Sequence, residues 1–155
     1  MQITKYYSRF QSVADWLRSP VLLAMRLFWG WQFVQTGWGK LMHLERTTGF
    51  FQSLGIPAPQ LNAIMAGGTE CLGGLLLVVG LGARAASIPL IATMAVAYAT
   101  AEHEALAAIV SDPDKFTSAA PFLFLLTAVV VLAFGPGFFS VDHLLNRKEP
   151  ISKEA

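Results

Sequence analysis

Four apolar runs constrain this chain more than any other feature. They lie at about Val21 to Met42, Leu61 to Leu81, Ala85 to Ala101 and Ala119 to Phe134. Each is close to the roughly 17–25 residues that a helix needs to cross a bilayer. With 54% hydrophobic residues, the chain is also more apolar than an ordinary soluble domain, where such usage including glycine is roughly 45–50%. The expected fold is therefore all-α, an integral membrane four-helix bundle in a single domain, residues 1–155, with the lipid bilayer as its solvent.

The flanking segments read as amphipathic terminal helices. Tyr6, Phe10, Val13 and Leu17 recur at helical spacing, while Lys5, Arg9, Gln11, Asp15 and Arg18 take other faces. Residues 1–19 thus predict a helix lying on the membrane surface. Pro20 suits a break or a first turn before the first span. The opening residues are too polar for a secretory leader, so no cleavage is expected. After the fourth span, Gly-Pro-Gly at 135–137 stops the helix, and Ser140 is placed to cap a short helix carrying Val141, Leu144 and Leu145 in the tail, residues 138–155.

Orientation follows from Lys and Arg near the span ends. Lys5, Arg9, Arg18, Arg84, Arg147, Lys148 and Lys153 gather on one side, which predicts an inner (plasma) membrane protein with both termini cytoplasmic. The short loop "GLGARAA" predicts an antiparallel hairpin of spans two and three, and Asp112-Pro113-Asp114 reads as a turn. The net charge is +1 with no dense basic run, which sets nucleic acid aside. The single cysteine, Cys71, excludes an intrachain disulfide and a CxxC pair; it reads as a packing residue. The fourth span offers only Thr127 as a polar side chain and reads as a packing element.

The first span carries a sorted polarity. On a helical wheel with Arg26 at zero, Gly30, Phe33, Gly37 and Lys40 all fall within about 40°. Trp31 and Trp38 fall on another face, and Gln32 and Gln35 on neither. In the second span, Ala63, Ala66, Gly67, Gly74 and Leu77 lie within about 60° of Glu70. Small residues let membrane helices approach closely. An ionised group at this depth needs a partner or water. The two stripes are expected to face each other, with Arg26 reaching toward Glu70 either as a register-fixing pair or as part of a chemical site. Glu70, Arg26 and Lys40 are accordingly the candidate catalytic residues.

At the outer face, His43 and Glu45 follow span one, and Glu102, His103 and Glu104 follow span three. His43, His103 and Glu102 are the candidate metal ligands, for zinc, copper or iron. Neighbours such as Glu102 and His103 point about 100° apart, so ordinary solvation of the interface is the competing explanation.

The ordered motifs "RLFWGWQFVQTGWGKL", "GIP", "ECLGGLLLVVGLGARAAS" and "FGPGFFSVD" resemble those of DoxX-like membrane proteins over most of the chain. The resemblance implies a four-helix membrane domain. Some relatives are linked to a thiosulfate:quinone oxidoreductase, and others to a membrane complex with superoxide dismutase and a sulfurtransferase. Positions that match the pattern are Arg26, Gly37, Lys40, Glu70, Gly73, Gly74, Gly80 and Arg84.

No glycine-rich dinucleotide loop, cysteine pair or intramembrane His pair is present in the sequence. An oxidoreductase role therefore calls for a diffusible quinone, or a small sulfur or oxygen species, between helices one and two. Lys40 or Arg26 would polarise a carbonyl, Glu70 would move protons, Gly37, Gly74 and Tyr98 would line the pocket, and a soluble or membrane redox partner protein would supply electrons. Two other readings stand beside it. One is a non-enzymatic scaffold for a redox or metal-handling partner. The other is a transporter or channel, which would need a homo-oligomer.

Overall fold

The computed structural model describes residues 2–146. The tail cations Arg147, Lys148 and Lys153 lie outside the described residues, as do the side chains of Tyr6, Phe10 and Val13. Every regular element among the described residues is helical. The helices are α1 (Gln2–Met42), α2 (Leu44–Ser53), α3 (Pro59–Val79), α4 (Ala83–Thr100), α5 (His103–Ala107), α6 (Pro113–Ser118), α7 (Pro121–Phe134) and α8 (Val141–Asn146). The long helices α1, α3, α4 and α7 form the four-helix bundle, with α1 packed chiefly on α3 and α4 on α7.

α3 and α4 are each long and apolar enough to cross a bilayer, whereas α7, at 14 residues, is shorter than a usual span. α1 departs from the expected two-part arrangement, because it runs unbroken through Pro20. Proline removes one backbone donor and strains one turn. The turn is held from outside, where Ser19 is buried and its hydroxyl accepts the Phe138 N–H at 3.3 Å.

The bundle is apolar outside and partly polar inside, which identifies its solvent. Phe28, Trp31, Leu72, Ile88, Leu126 and Val129 are exposed around its girth, while Arg26, Glu70, Ser87 and Thr127 are buried. A soluble protein would not present such a belt to water; in lipid it costs nothing. The apolar core joins Phe33, Leu77, Leu90, Met94, Ala128 and Val131. Phe124 locks α7 to α1 through edge-on contacts with Trp29 and Phe33, at centroid distances of 5.2 and 4.6 Å.

α3 and α4 form the expected hairpin, turned by Gly80 and Gly82, both at positive φ. Gly82 caps α4 without a side chain. Asp142 supplies the missing acceptor from the far end of the chain, taking the Gly82 and Ala83 N–H groups at 2.7 and 3.1 Å. Asp142→Ala should cost about 1–2 kcal/mol, read as a lower midpoint in detergent unfolding. Ser140 caps α8 by accepting the His143 N–H, and Asp112 caps α6 by accepting the Lys115 N–H.

Tyr98 is buried under α6, donating to the Phe116 carbonyl at 2.9 Å and stacking on its ring. Tyr98→Phe should lose about 1 kcal/mol and loosen α6, measurable as faster amide exchange near Phe116. In the same exposed region the Lys115 ammonium binds Glu104 at 3.0 Å and holds its carboxyl below the usual carboxylate value. That contact favours the folded loop above the unfolded glutamate's pKa and fades as pH falls.

Candidate functional site

The site rests on the close approach of α1 and α3. A Cβ on Gly37 would lie 2.5 Å from the Cys71 nitrogen and 2.6 Å from the Gly67 oxygen. One on Gly74 would lie 2.6 Å from the Gly30 oxygen and 2.8 Å from the Phe33 Cβ. The two backbones therefore touch, and only glycine fits at those crossings. The stripes expected to meet do meet, in antiparallel register: Gly37 is level with Glu70, Gly30 with Gly74 and Val78, and Arg26 with Gly80.

This register decides which cation serves Glu70. Side chains on a helix lean toward its N-terminus, so Lys40, one turn beyond Gly37, reaches back to the carboxylate. The Lys40 ammonium and Glu70 form a short ion pair. The Glu70 side chain is 2% exposed and that of Lys40 30%. Glu70 is eleven residues into α3, or about 17 Å along a helix rising 1.5 Å per residue. It therefore sits near the middle of that span.

The expected pairing of Arg26 with Glu70 is not what the structure shows. Arg26 lies opposite Gly80, about 15 Å along α3 from Glu70. Its guanidinium donates instead to four carbonyls, those of Leu77 (2.7 Å), Val78 (3.1 Å), Pro136 and Phe139 (3.2 Å). Leu77 and Val78 end α3, where carbonyls lack helical partners. Leu76 already accepts both the Gly80 and Leu81 N–H groups. Arg26 thus finishes one helix and straps the segment after α7 to it.

The Lys40–Glu70 pair opens into a cavity of about 410 Å³ lined by α1, α2, α3, α4 and α7 and open on one side. Its walls are mostly apolar, with Phe50, Phe51, Met65, Ala97 and Phe124, and its polar groups include Thr36, Asn62, Thr69 and Glu102. α2, which buries no residue fully, forms the cover with Phe50 and Phe51. Removing the cation alone leaves a buried carboxyl without its partner. Lys40→Met should therefore cost about 3–5 kcal/mol, while Lys40→Met with Glu70→Gln recovers most of it. Chemical unfolding of Lys40→Met, Glu70→Gln and the double variant as a double-mutant cycle measures the coupling.

The remaining candidates fall elsewhere. Gly37 and Gly74 shape the helix crossing beside the cavity and do not line it. Tyr98 is also absent from the cavity wall and is spent on Phe116. Glu102 lies on the cavity rim, but His43 and His103 are exposed. Among the described residues no three His, Cys, Asp or Glu side chains converge as metal ligands, so His43, Glu102 and His103 do not form the expected cluster. The Cys71 thiol donates to the Val34 carbonyl at 3.5 Å, in keeping with packing. Gln35 is exposed and Gln32 half-buried.

Sequence reasoning missed the cover. The apolar pair Phe50-Phe51, followed by Leu54 and Ile56, was its signal.

The DoxX family model matches residues 21–103, more than half of the chain and all of the Lys40–Glu70 crossing. An uncharacterised membrane protein of Mycobacterium tuberculosis is 29% identical over 141 residues, covering 83% of each chain. No solved structure matches the chain. With the family match running from Val21 within α1 through α4, and with an apolar exterior around a helical bundle, the chain belongs to the DoxX family of membrane proteins.

Proposed function

We propose that the protein binds a lipophilic molecule with a hydrogen-bonding head, of the quinone class, in the cavity beside Lys40 and Glu70, and serves as the membrane subunit of a redox system. The observation that carries this reading is an ion pair with a buried carboxylate opening into a mostly apolar cavity. Such a pocket suits a ring with one polar edge better than a small hydrophilic sulfur or oxygen species. Lys40 bonds Glu70 with one of its three N–H donors, which leaves two for a carbonyl oxygen. Glu70 holds the ammonium charge in place and carries a proton between Lys40 and the head.

A quinone held there would need two electrons from a redox partner protein and two protons, which Lys40, 30% exposed, and Glu70 would pass in from water, to become the quinol. Arg26, with four of its five N–H donors on carbonyls, takes no part and keeps the bundle closed. The same reading has both termini cytoplasmic in the inner membrane; a reporter active only in the cytoplasm, fused to the C-terminus, should be active.

Equilibrium binding of short-chain ubiquinone and menaquinone analogues to protein in detergent tests the site. Lys40→Met/Glu70→Gln should weaken binding at least tenfold. Ala97→Phe, which grows a ring into the cavity, should abolish binding while the protein stays folded. Unchanged affinity in Ala97→Phe would remove the proposal and leave the ion pair as a register device in a scaffold for a redox or metal-handling partner.

A further inference from the structure

At the opposite end of the bundle, away from the Lys40–Glu70 crossing, a second hollow of about 930 Å³ lies between α1, the start of α4 and residues 134–143. Arg18 and Arg84 line it. Arg18 Nη2 donates to the Phe134 carbonyl at 2.5 Å, with the guanidinium 5.3 Å from the Phe134 ring centre. Arg84 Nη2 reaches the preceding carbonyl, that of Ala133, at 3.4 Å. The two guanidinium groups therefore converge on the end of α7, and Arg26 holds the Pro136 and Phe139 carbonyls beneath them.

Three positive charges thus surround one short loop. Among the described residues none of the three forms an ion pair. The carboxylate at the hollow, Asp142, accepts from the Gly82 and Ala83 N–H groups and offsets one of the three charges. The C-terminal ends of α3 and α7 offset roughly half a charge each, and the N-terminus of α4 restores about half a charge. A net positive field remains.

Each guanidinium has five N–H donors in a planar fork suited to phosphate oxygens. Arg18 and Arg84 each spend one on a carbonyl. Trp16 (69% exposed) and Phe138 (62% exposed) stand at the rim, as aromatic side chains do at headgroup depth. Basic hollows at the end of a helical bundle, level with such aromatics, suit acidic lipid headgroups.

We infer that this hollow binds the phosphate of an anionic phospholipid, gripped by Arg18 and Arg84, with the acyl chains running down the apolar outside of the bundle. The occupant is a lipid rather than a free anion because the rim is aromatic and the exposed surface beyond it is apolar.

The full-length protein in detergent, titrated with phosphatidylglycerol or phosphatidylcholine and followed by native mass spectrometry and thermal unfolding, tests the assignment. Phosphatidylglycerol should be retained at least tenfold better and should raise the midpoint. Arg18→Gln/Arg84→Gln should abolish that preference while leaving the midpoint in phosphatidylcholine within a few degrees. If that pair fails to fold, Arg18→Lys/Arg84→Lys, which keeps the charge and loses the fork, should reduce the preference about threefold. Equal retention of both lipids, or a preference unchanged in both double variants, would overturn the inference. So would inorganic phosphate competing at concentrations comparable to the lipid, since that result assigns the hollow to a soluble anion.

Discussion

Gly37→Ala should push α1 and α3 apart and cost about 3 kcal/mol, at the upper end of ordinary overpacking. The added methyl would meet backbone atoms of Cys71 and Gly67 at 2.5 and 2.6 Å, and backbone cannot rotate away as a side chain does. Gly74→Ala should behave alike, against the Gly30 oxygen. Gly37→Leu should prevent the bundle from assembling. Gly39 provides the control from the same helix: a methyl added there would have nothing within 4 Å, so Gly39→Ala should be neutral or stabilising by up to about 1 kcal/mol. Reversible unfolding in mixed micelles measures the three alanine variants, and recovery of folded protein measures Gly37→Leu. Equal effects at Gly37 and Gly39 would mean that the two backbones do not touch at the crossing.

Arg26→Met should be at least as damaging, at about 4 kcal/mol or more, because it strips donors from four carbonyls at once. Arg26→Lys keeps the charge but offers three donors from a single point, and should recover about half of the loss. The charge exchange Arg26→Glu with Glu70→Arg separates this arrangement from a direct pair. Since Arg26 binds carbonyls and Glu70 binds Lys40, the two changes should add, with no mutual rescue. Recovery of wild-type stability in the exchanged variant would restore a direct contact between them.

Much of the crossing was legible in the periodicity. Arg26, Gly30, Gly37 and Lys40 share a face in the sequence, and in the structure that face meets Gly67, Glu70 and Gly74. Which cation reaches Glu70 was not legible in the same way. A wheel gives the angle around a helix and contains nothing about how far two helices slide along each other, and that slide gives Glu70 to Lys40. The backward lean of helical side chains would have favoured Lys40 once Gly37 was placed opposite Glu70.

Other features had weaker signals. Pro20 reads locally as a stop, yet the surrounding helix continues because Ser19 and the 134–140 segment hold that turn. α2 is short and carries four polar or charged side chains in its first four residues after Leu44, so its role as a cover emerges only from its packing on α3. The cap from Asp142 to Gly82 spans 60 residues, and no local pattern encodes it.

The strap made by Arg26 also bears on biosynthesis. Arg26 is made 110 residues before Pro136, so for most of translation the carbonyls it will bind after α7 do not exist. Until then a guanidinium within a membrane segment is unfavourable at depth unless water, or the Leu77 and Val78 carbonyls once α3 is made, serve it. The strap is therefore completed only after the last helix has been delivered, and a chain truncated before Pro136 should be less stable and degraded faster than the full chain.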